Sequence, residues 1–398
     1  MILRRFVWLL CSVVLVLPMA LHAQVDPGPR PGADAGGMRA GLTPAEQAFF
    51  LLGQAEFVEI EDADEGLGPR FNLDSCGGCH TQPAVGGTSP ALNPQVAFLT
   101  RKGGAPAQLP QFVREHGPMV EIRFKRDSGV HQLFAIDEGD CNLKVGPFPP
   151  GQVTLRQPTP VFGLGLLEDI PDATILAQQS VNLALKQQRG VSGYPQDVID
   201  GRIGRFGWKA QRGDVQVFAG EAYNVEMGIT NELFADELEQ DPACQFAEVP
   251  NTGPENGEPS PVELFAAFMR GLDAPTPVPA SHPGRAVFDA VGCGLCHTPS
   301  LGGVPAYTDL LLHNMGVGLD DSITQGAASG VHFRTAPLWG LGQRLFFLHD
   351  GRTQDLVVAI EAHASRGSEA NGVIAEYQRV RKQTPTAIQA LLDFLRSL

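Results

Sequence analysis

The sequence predicts a mainly α-helical protein of two tandem domains, with long loops and one small β-hairpin insertion. Three observations carry that expectation: a five-residue Cys/His motif occurs once in each half, flanking elements echo each other in the same order, and the readable periodic segments are helical. A content of 43% hydrophobic against 18% charged residues is that of a chain able to bury a core, and excludes a disordered or collagen-like one. Gly (46) and Pro (32) are abundant, so long loops are expected between a limited number of packed elements. No repeat of about 20–50 residues recurs, which excludes solenoids and propellers.

Residues 1–23 read as a secretory signal: Arg4 and Arg5 form a charged start, an apolar stretch runs from Phe6 to Leu17, and Pro18 precedes a small-residue site ending at Ala23. The apolar stretch is short for a membrane span, so the mature chain is expected in the periplasm with no stable span. Cleavage removes two arginines and no acid, taking the formal net charge from −15 to −17. Such acidity makes nucleic acid an unsuitable partner and gives a self-repelling surface that can steer a small basic protein to one face.

A flexible N-terminus is expected over 24–41. Thr43-Pro44-Ala45-Glu46 then forms a capping box with Pro at the first helical position, and Ala45, Ala48, Phe49 and Leu52 give the following helix one apolar face. Cys76-Gly77-Gly78-Cys79-His80 comes next, and its copy is Cys293-Gly294-Leu295-Cys296-His297. In this pattern the two thiols form thioethers to haem vinyl groups and the adjacent His ligates iron. A structural zinc site would not need a His after each Cys pair, and a thiol redox motif would not occur twice in this form. Two covalently attached c-type haems are therefore expected, on Cys76, Cys79 and His80 and on Cys293, Cys296 and His297, in tandem c-type cytochrome domains.

Val120, Ile122 and Phe124 alternate with polar residues before a possible turn at Asp127-Ser128-Gly129, which reads as the hairpin. Arg156-Gln157-Pro158-Thr159-Pro160 is answered by Arg334-Thr335-Ala336-Pro337, and Phe206-Gly207-Trp208 by Phe347-Leu348-His349, as expected of a tandem duplication. The Pro/Gly/Asn/Glu-rich stretch 249–261 is the natural boundary, giving domains 42–255 and 256–398. Thr384-Pro385 starts a closing helix with Ile388, Leu391, Leu392 and Leu395 on one face. Cys11 leaves with the signal. Cys141 and Cys244 remain as either a disulfide or two separate buried thiols.

Each iron has a proximal His, so the sixth position separates electron transfer from chemistry. Leu356, Ala359, Ile360 and His363 fall at i, i+3, i+4 and i+7, which puts the His363 ring on a buried helical face, beside an iron or hydrogen-bonded in the core.

The two Cys-x-x-Cys-His motifs, the repeated Arg-x-x-Pro elements and Phe346-Phe347-Leu348-His349-Asp350-Gly351-Arg352 resemble the bacterial di-haem cytochrome c peroxidase superfamily. The chain is more closely similar to its di-haem oxidoreductase branch, often labelled thiol oxidoreductase, in Gly204-Arg205-Phe206-Gly207-Trp208, in Glu226-Met227-Gly228-Ile229-Thr230 and in the segment from Tyr307 to Gly316. The resemblance implies a peroxide site at the haem on His80 and an electron relay at the haem on His297. It implies Glu226 as the distal acid, Gln216 ten residues before it, Trp208 as an aromatic between the haems, and His363 as sixth ligand where relatives use Met or Tyr. A His/His haem has a lower potential than a His/Met one. The superfamily's inter-haem calcium uses an Asn after the first Arg element; Gln157 stands there, which counts against calcium. Met227 is an alternative ligand that would close the first iron. The expected reaction is peroxidase-like oxidoreduction with hydrogen peroxide and a small redox protein as electron donor or acceptor. The rival readings are a non-catalytic electron-transfer cytochrome and an oxygenase or protein-modifying oxidase of the same architecture.

Overall fold

Thr43 caps the first helix as its sequence predicts: its hydroxyl accepts from the Glu46 amide and the Glu46 carboxylate accepts from the Thr43 amide. The computed structural model describes residues 24–398 apart from positions 33, 126–129, 132, 137–140, 142, 144–145, 199, 255–256 and 277–278. The signal segment 1–23 and the turn at Asp127, Ser128 and Gly129 lie outside the described residues. The helices are α1 (Pro44–Val58), α2 (Cys76–Cys79), α3 (Pro94–Arg101), α4 (Leu164–Glu168), α5 (Asp172–Ala177), α6 (Leu183–Arg189), α7 (Val215–Met227), α8 (Pro261–Gly271), α9 (Pro283–Val291), α10 (Leu356–Glu361), α11 (Asn371–Gln383) and α12 (Pro385–Ser397). The strands are short: β1 (Arg70–Phe71), β2 (Glu121–Phe124), β3 (Val130–His131), β4 (Phe134–Ala135), β5 (Val153–Arg156), β6 (Gln196–Val198), β7 (Ile203–Gly204), β8 (Leu312–Asn314) and β9 (His332–Arg334). The expected hairpin is β2–β3, and β5 extends it antiparallel on the other side of β2.

The face that α1 buries differs from the expected one. Phe50, Gly53 and Phe57 pack on α8, while Phe49 and Leu52 are exposed. The helix is apolar on several sides, so periodicity could not choose among them. Gly53 chose: a Cβ there would lie 2.0 Å from the Leu264 carbonyl oxygen, so only this face allows the close crossing. Phe50 and Phe57 then pack on Phe268 with tilted rings, centroids 5.2 and 4.9 Å apart.

This crossing also places α8 in the core of the first half. Ser260 caps α8, whose Val262, Phe265, Phe268 and Met269 belong to the same core as α1 and α7. The expected cut at 255/256 falls before α8, which packs on α1 and α7. The second core joins α9 and α12, which cross at Gly284, with Leu356, Tyr377 and the predicted Ile388, Leu391, Leu392 and Leu395. The stretch 24–41, expected to be flexible, is an irregular strap fixed to both halves. Asp26 accepts two 2.6 Å hydrogen bonds from Arg396, and the Arg39 amide donates to the Gly271 carbonyl.

Two further links position the site. Cys141 and Cys244 are bonded to each other. Between the halves, Asp321 accepts from buried Arg156 and Lys209, and the Lys209 ammonium also donates to the carbonyls of Ser329, Gly330 and His332 at 2.8–3.0 Å. A buried ion cluster satisfied in this way costs little and resists shear. It anchors the residue next to Trp208.

Candidate haem sites and distal pocket

Each Cys-x-x-Cys-His motif is a single tight turn, with the His80 amide bonded to the Cys76 carbonyl at 2.9 Å and the His297 amide to that of Cys293 at 3.0 Å. The turn presents both thiols and the imidazole to one cavity. All four thiols are unbonded. Nδ1 of His80 lies 3.1 Å from the Gly87 carbonyl, and Nδ1 of His297 lies 3.1 Å from that of Tyr307. A carbonyl can only accept, so Nδ1 carries the proton and the Nε2 lone pair is left for a metal. Burial pushes both imidazoles down to about 4, which keeps them neutral.

The N-terminal cavity is lined by His80, Cys76 and Cys79, by apolar Phe57, Leu73, Val161 and Phe265, and by a polar group of Asn72, Glu121, Arg123, Arg156, Gln157 and Glu226. Glu226, in the last turn of α7, receives the Asn72 amide at 3.4 Å. Burial holds its carboxyl well above the usual range and a hydrogen bond with the Glu121 side chain adds to this, while Arg123 and Arg156 pull the other way. Glu121 in turn sits 2.6 Å from Arg123. The Glu226 carboxyl is thereby held towards its protonated form, hydrogen-bonded to Glu121. Buried polar atoms of Asn72, Arg123 and Gln157 have no protein partner here, as expected where a polar ligand docks.

Glu121 and Arg123 were not anticipated, although the signal was present. Alternation along β2 that buries Ile122 against the core turns 121 and 123 to the opposite face. Gln216 stands apart from Glu226. It is absent from the cavity wall, because ten residues of helical rise put it about 15 Å from Glu226 along the axis of α7. Met227 is buried with its sulfur 3.7 Å from Cys76 Sγ, at the attachment edge of the cavity.

The C-terminal cavity is lined by Cys293, Cys296, His297, His349, Arg334, Arg344 and His363. His363 lies two residues beyond the end of α10, in the turn that follows, and its Nδ1 meets the Ala359 carbonyl at 2.8 Å. As in both proximal histidines, Nε2 is left free. Burial pushes both guanidinium groups down to about 10, with Arg334 disfavoured further by Arg344. Among the described residues neither meets a carboxylate, only carbonyls such as those of Gly207 and Pro337. Buried cations of that kind call for anionic groups on a ligand, and the two propionates of a haem supply them.

Trp208 belongs to both walls, and among the described residues it is the one common to the two linings. Its indole N–H donates to the Gln157 carbonyl at 2.9 Å and its ring meets His349 edge-on at 6.3 Å. Two thiols, one neutral imidazole and an apolar wall in each, with unpaired arginines in one, fit two haems.

Residues 151–246 and 278–398 match the family described as "Di-haem oxidoreductase, putative peroxidase". The chain is a member of this family. No curated protein matches it. In this di-haem oxidoreductase the matched segments hold Trp208, Glu226, His297 and His363, while the first Cys motif precedes them. At the position of the calcium-binding Asn, the Gln157 amide donates to the Phe346 and Leu348 carbonyls. Among the described residues no group of three or more His, Cys, Asp or Glu side chains could hold a metal ion, and no helix is long and apolar enough to cross a membrane.

Proposed function

We propose that this di-haem oxidoreductase is exported to the periplasm, carries both haems covalently through its Cys motifs, and reduces hydrogen peroxide at the N-terminal cavity. His297 and His363 would hold the C-terminal haem, which would supply electrons taken from a small redox protein, and Trp208 would pass them between the cavities. The observation that carries this reading is an asymmetry: two carboxyls, Glu226 and Glu121, stand together in the first cavity, and a second imidazole, His363, stands in the other. Haem, when bound, supplies the iron that holds peroxide and the electrons that reduce it.

The chain's own groups would move the protons. Glu226 would take a proton from the near peroxide oxygen and return it to the leaving oxygen, with the Glu121 side chain hydrogen-bonded beside it. Arg123 keeps the pair from becoming too basic to give the proton up. The net charge of −15 supports a basic face on the redox partner.

The test is the reaction of wild type and Glu226→Gln with hydrogen peroxide, on protein whose first haem is high-spin. The amide keeps size and hydrogen bonding but cannot accept a proton, so the rate should fall by about 10²–10⁴ with haem content unchanged. A wild type inert to peroxide overturns the enzyme reading, whereas an equally fast Glu226→Gln overturns only the residue's role.

A further inference from the structure

The N-terminal cavity contains a redox-capable pair that this reaction scheme does not use. Tyr223 lies one turn before Glu226 on α7, lines the cavity, and is 2% exposed. Its hydroxyl donates to Glu61 Oε1 at 2.8 Å. The chain has four tyrosines, and the other three are placed differently. The Tyr194 hydroxyl donates to the Ala327 carbonyl, that of Tyr307 accepts from Arg285, and that of Tyr377 is buried without a partner. None of those three lines either haem cavity.

We propose that Tyr223 and Glu61 form a proton-coupled electron relay serving the N-terminal haem. The inference rests on the peroxide reading above. Reducing hydrogen peroxide to two waters takes two electrons and two protons. Tyr223 gives one of the electrons to the peroxide-oxidised site while its phenolic proton moves to the Glu61 carboxylate, leaving a neutral tyrosyl radical and a carboxylic acid. An external one-electron reductant then refills Tyr223, and the proton returns from Glu61.

Geometry supports each half of the step. A phenol that loses an electron but keeps its proton becomes a strongly acidic cation, which a buried site disfavours. A carboxylate already at hydrogen-bond distance removes that penalty without any movement. Glu61 is tethered through its amide to the Asp74 carbonyl, just before Cys76, and so is held against the haem-attachment turn. It is 8% exposed and followed by exposed Asp62, which gives its proton a short way to water. Burial pushes its carboxyl up to about 7, so it can both take and release a proton near neutrality. The external donor can therefore act at the face formed by the end of α1 and the acidic turn after it, without passing through the C-terminal haem.

The experiment mixes the two-haem protein with hydrogen peroxide, freezes it within milliseconds and records electron paramagnetic resonance. A tyrosyl signal is expected in wild type, with hyperfine structure that collapses when ring-deuterated tyrosine is incorporated. Tyr223→Phe should lower it at least tenfold while two haems remain by mass and the haem absorbance still responds to peroxide. Glu61→Gln, which keeps an oxygen acceptor for the phenol but takes no proton, should also lower it at least tenfold. An undiminished tyrosyl signal in either variant overturns the relay, and if Tyr223→Phe does not hold both haems, Glu61→Gln decides alone. Haem absorbance that responds to peroxide with no tyrosyl signal in wild type overturns the relay and leaves the proposed reaction standing. Absorbance that does not respond overturns both.

Discussion

In each half a strand ending in an arginine leads to a left-handed glycine and a short helical turn. Arg156 ends β5 before Gly163 at φ 66°, and Arg334 ends β9 before Gly340 at φ 70°. A bridged loop follows, closed by Phe206 with Arg212 in one half and by Phe347 with Thr353 in the other. Then an aspartate caps a helix by accepting two backbone amides: Asp214 at the start of α7, Asp355 at the start of α10. Eight residues beyond the cap the copies part. His363 faces the second cavity, and Ala222 faces the first. A methyl group stands where its counterpart offers a metal ligand, and α7 continues for a further turn that brings Glu226 to the same wall. One plan thus yields one cavity lined by a second imidazole, His363, and another lined by the carboxyls of Glu226 and Glu121.

The largest expected effect comes from removing the shared part of the plan. Replacing Cys76 and Cys79 by alanine, or Cys293 and Cys296, should leave a protein with one covalent haem by mass. Because the two cavities have separate walls joined only at Trp208, the surviving haem should keep its own spectrum. Retention of two covalent haems in either double variant contradicts the attachment scheme for both halves.

Exchanging the residues at which the copies differ tests the comparison itself. Ala222→His should place an imidazole at the first iron, convert that haem to low-spin and slow its reaction with peroxide by about two orders of magnitude or more. The reciprocal His363→Ala should open the second haem to high-spin and leave the first unchanged. If Ala222→His leaves the first haem high-spin and reactive, the helices are not equivalent positions relative to iron, and the duplication ends at the aspartate cap.

Legibility in the sequence followed the distance over which each feature is determined. The haem motifs, the Thr43 cap and the single apolar face of α12 are set within about one to three helical turns, so spacing alone reads them. His363 was placed on the right face because i+7 spacing survives even though α10 ends at Glu361 and the ring projects from the next turn. Long-range features were not legible in the same way. The buried face of α1 depends on where α8 can approach Gly53, and α8 lies some two hundred residues away. Glu121 becomes a partner of Glu226 only because the hairpin folds over the first cavity. Gln216 was carried over from a resemblance in which spacing stood in for geometry, and the rise of α7 separates it from the acid.

The smallest expected effect asks whether the duplication extends to the helix crossings. In the first half α1 meets α8 at Gly53, and in the second α9 meets α12 at Gly284, where a Cβ would lie 1.9 Å from the Ala390 carbonyl oxygen. Alanine at either position gains about 1 kcal/mol of helix propensity over glycine. Against that, a methyl group about 2 Å from a carbonyl oxygen must push two packed helices apart, and such overpacking costs about 1–3 kcal/mol or somewhat more. The obstructing atoms are backbone carbonyls held in helical hydrogen bonds, not side-chain ends that can swing away, so the steric cost outweighs the propensity gain. Gly53→Ala and Gly284→Ala should therefore each lower stability by a similar small amount, read as a shift in thermal or denaturant midpoint with both haems retained. A loss confined to one of the two would show that the crossings are not equivalent, and would restrict the repeated plan to the cavity walls between Arg156 and Glu226 and between Arg334 and His363.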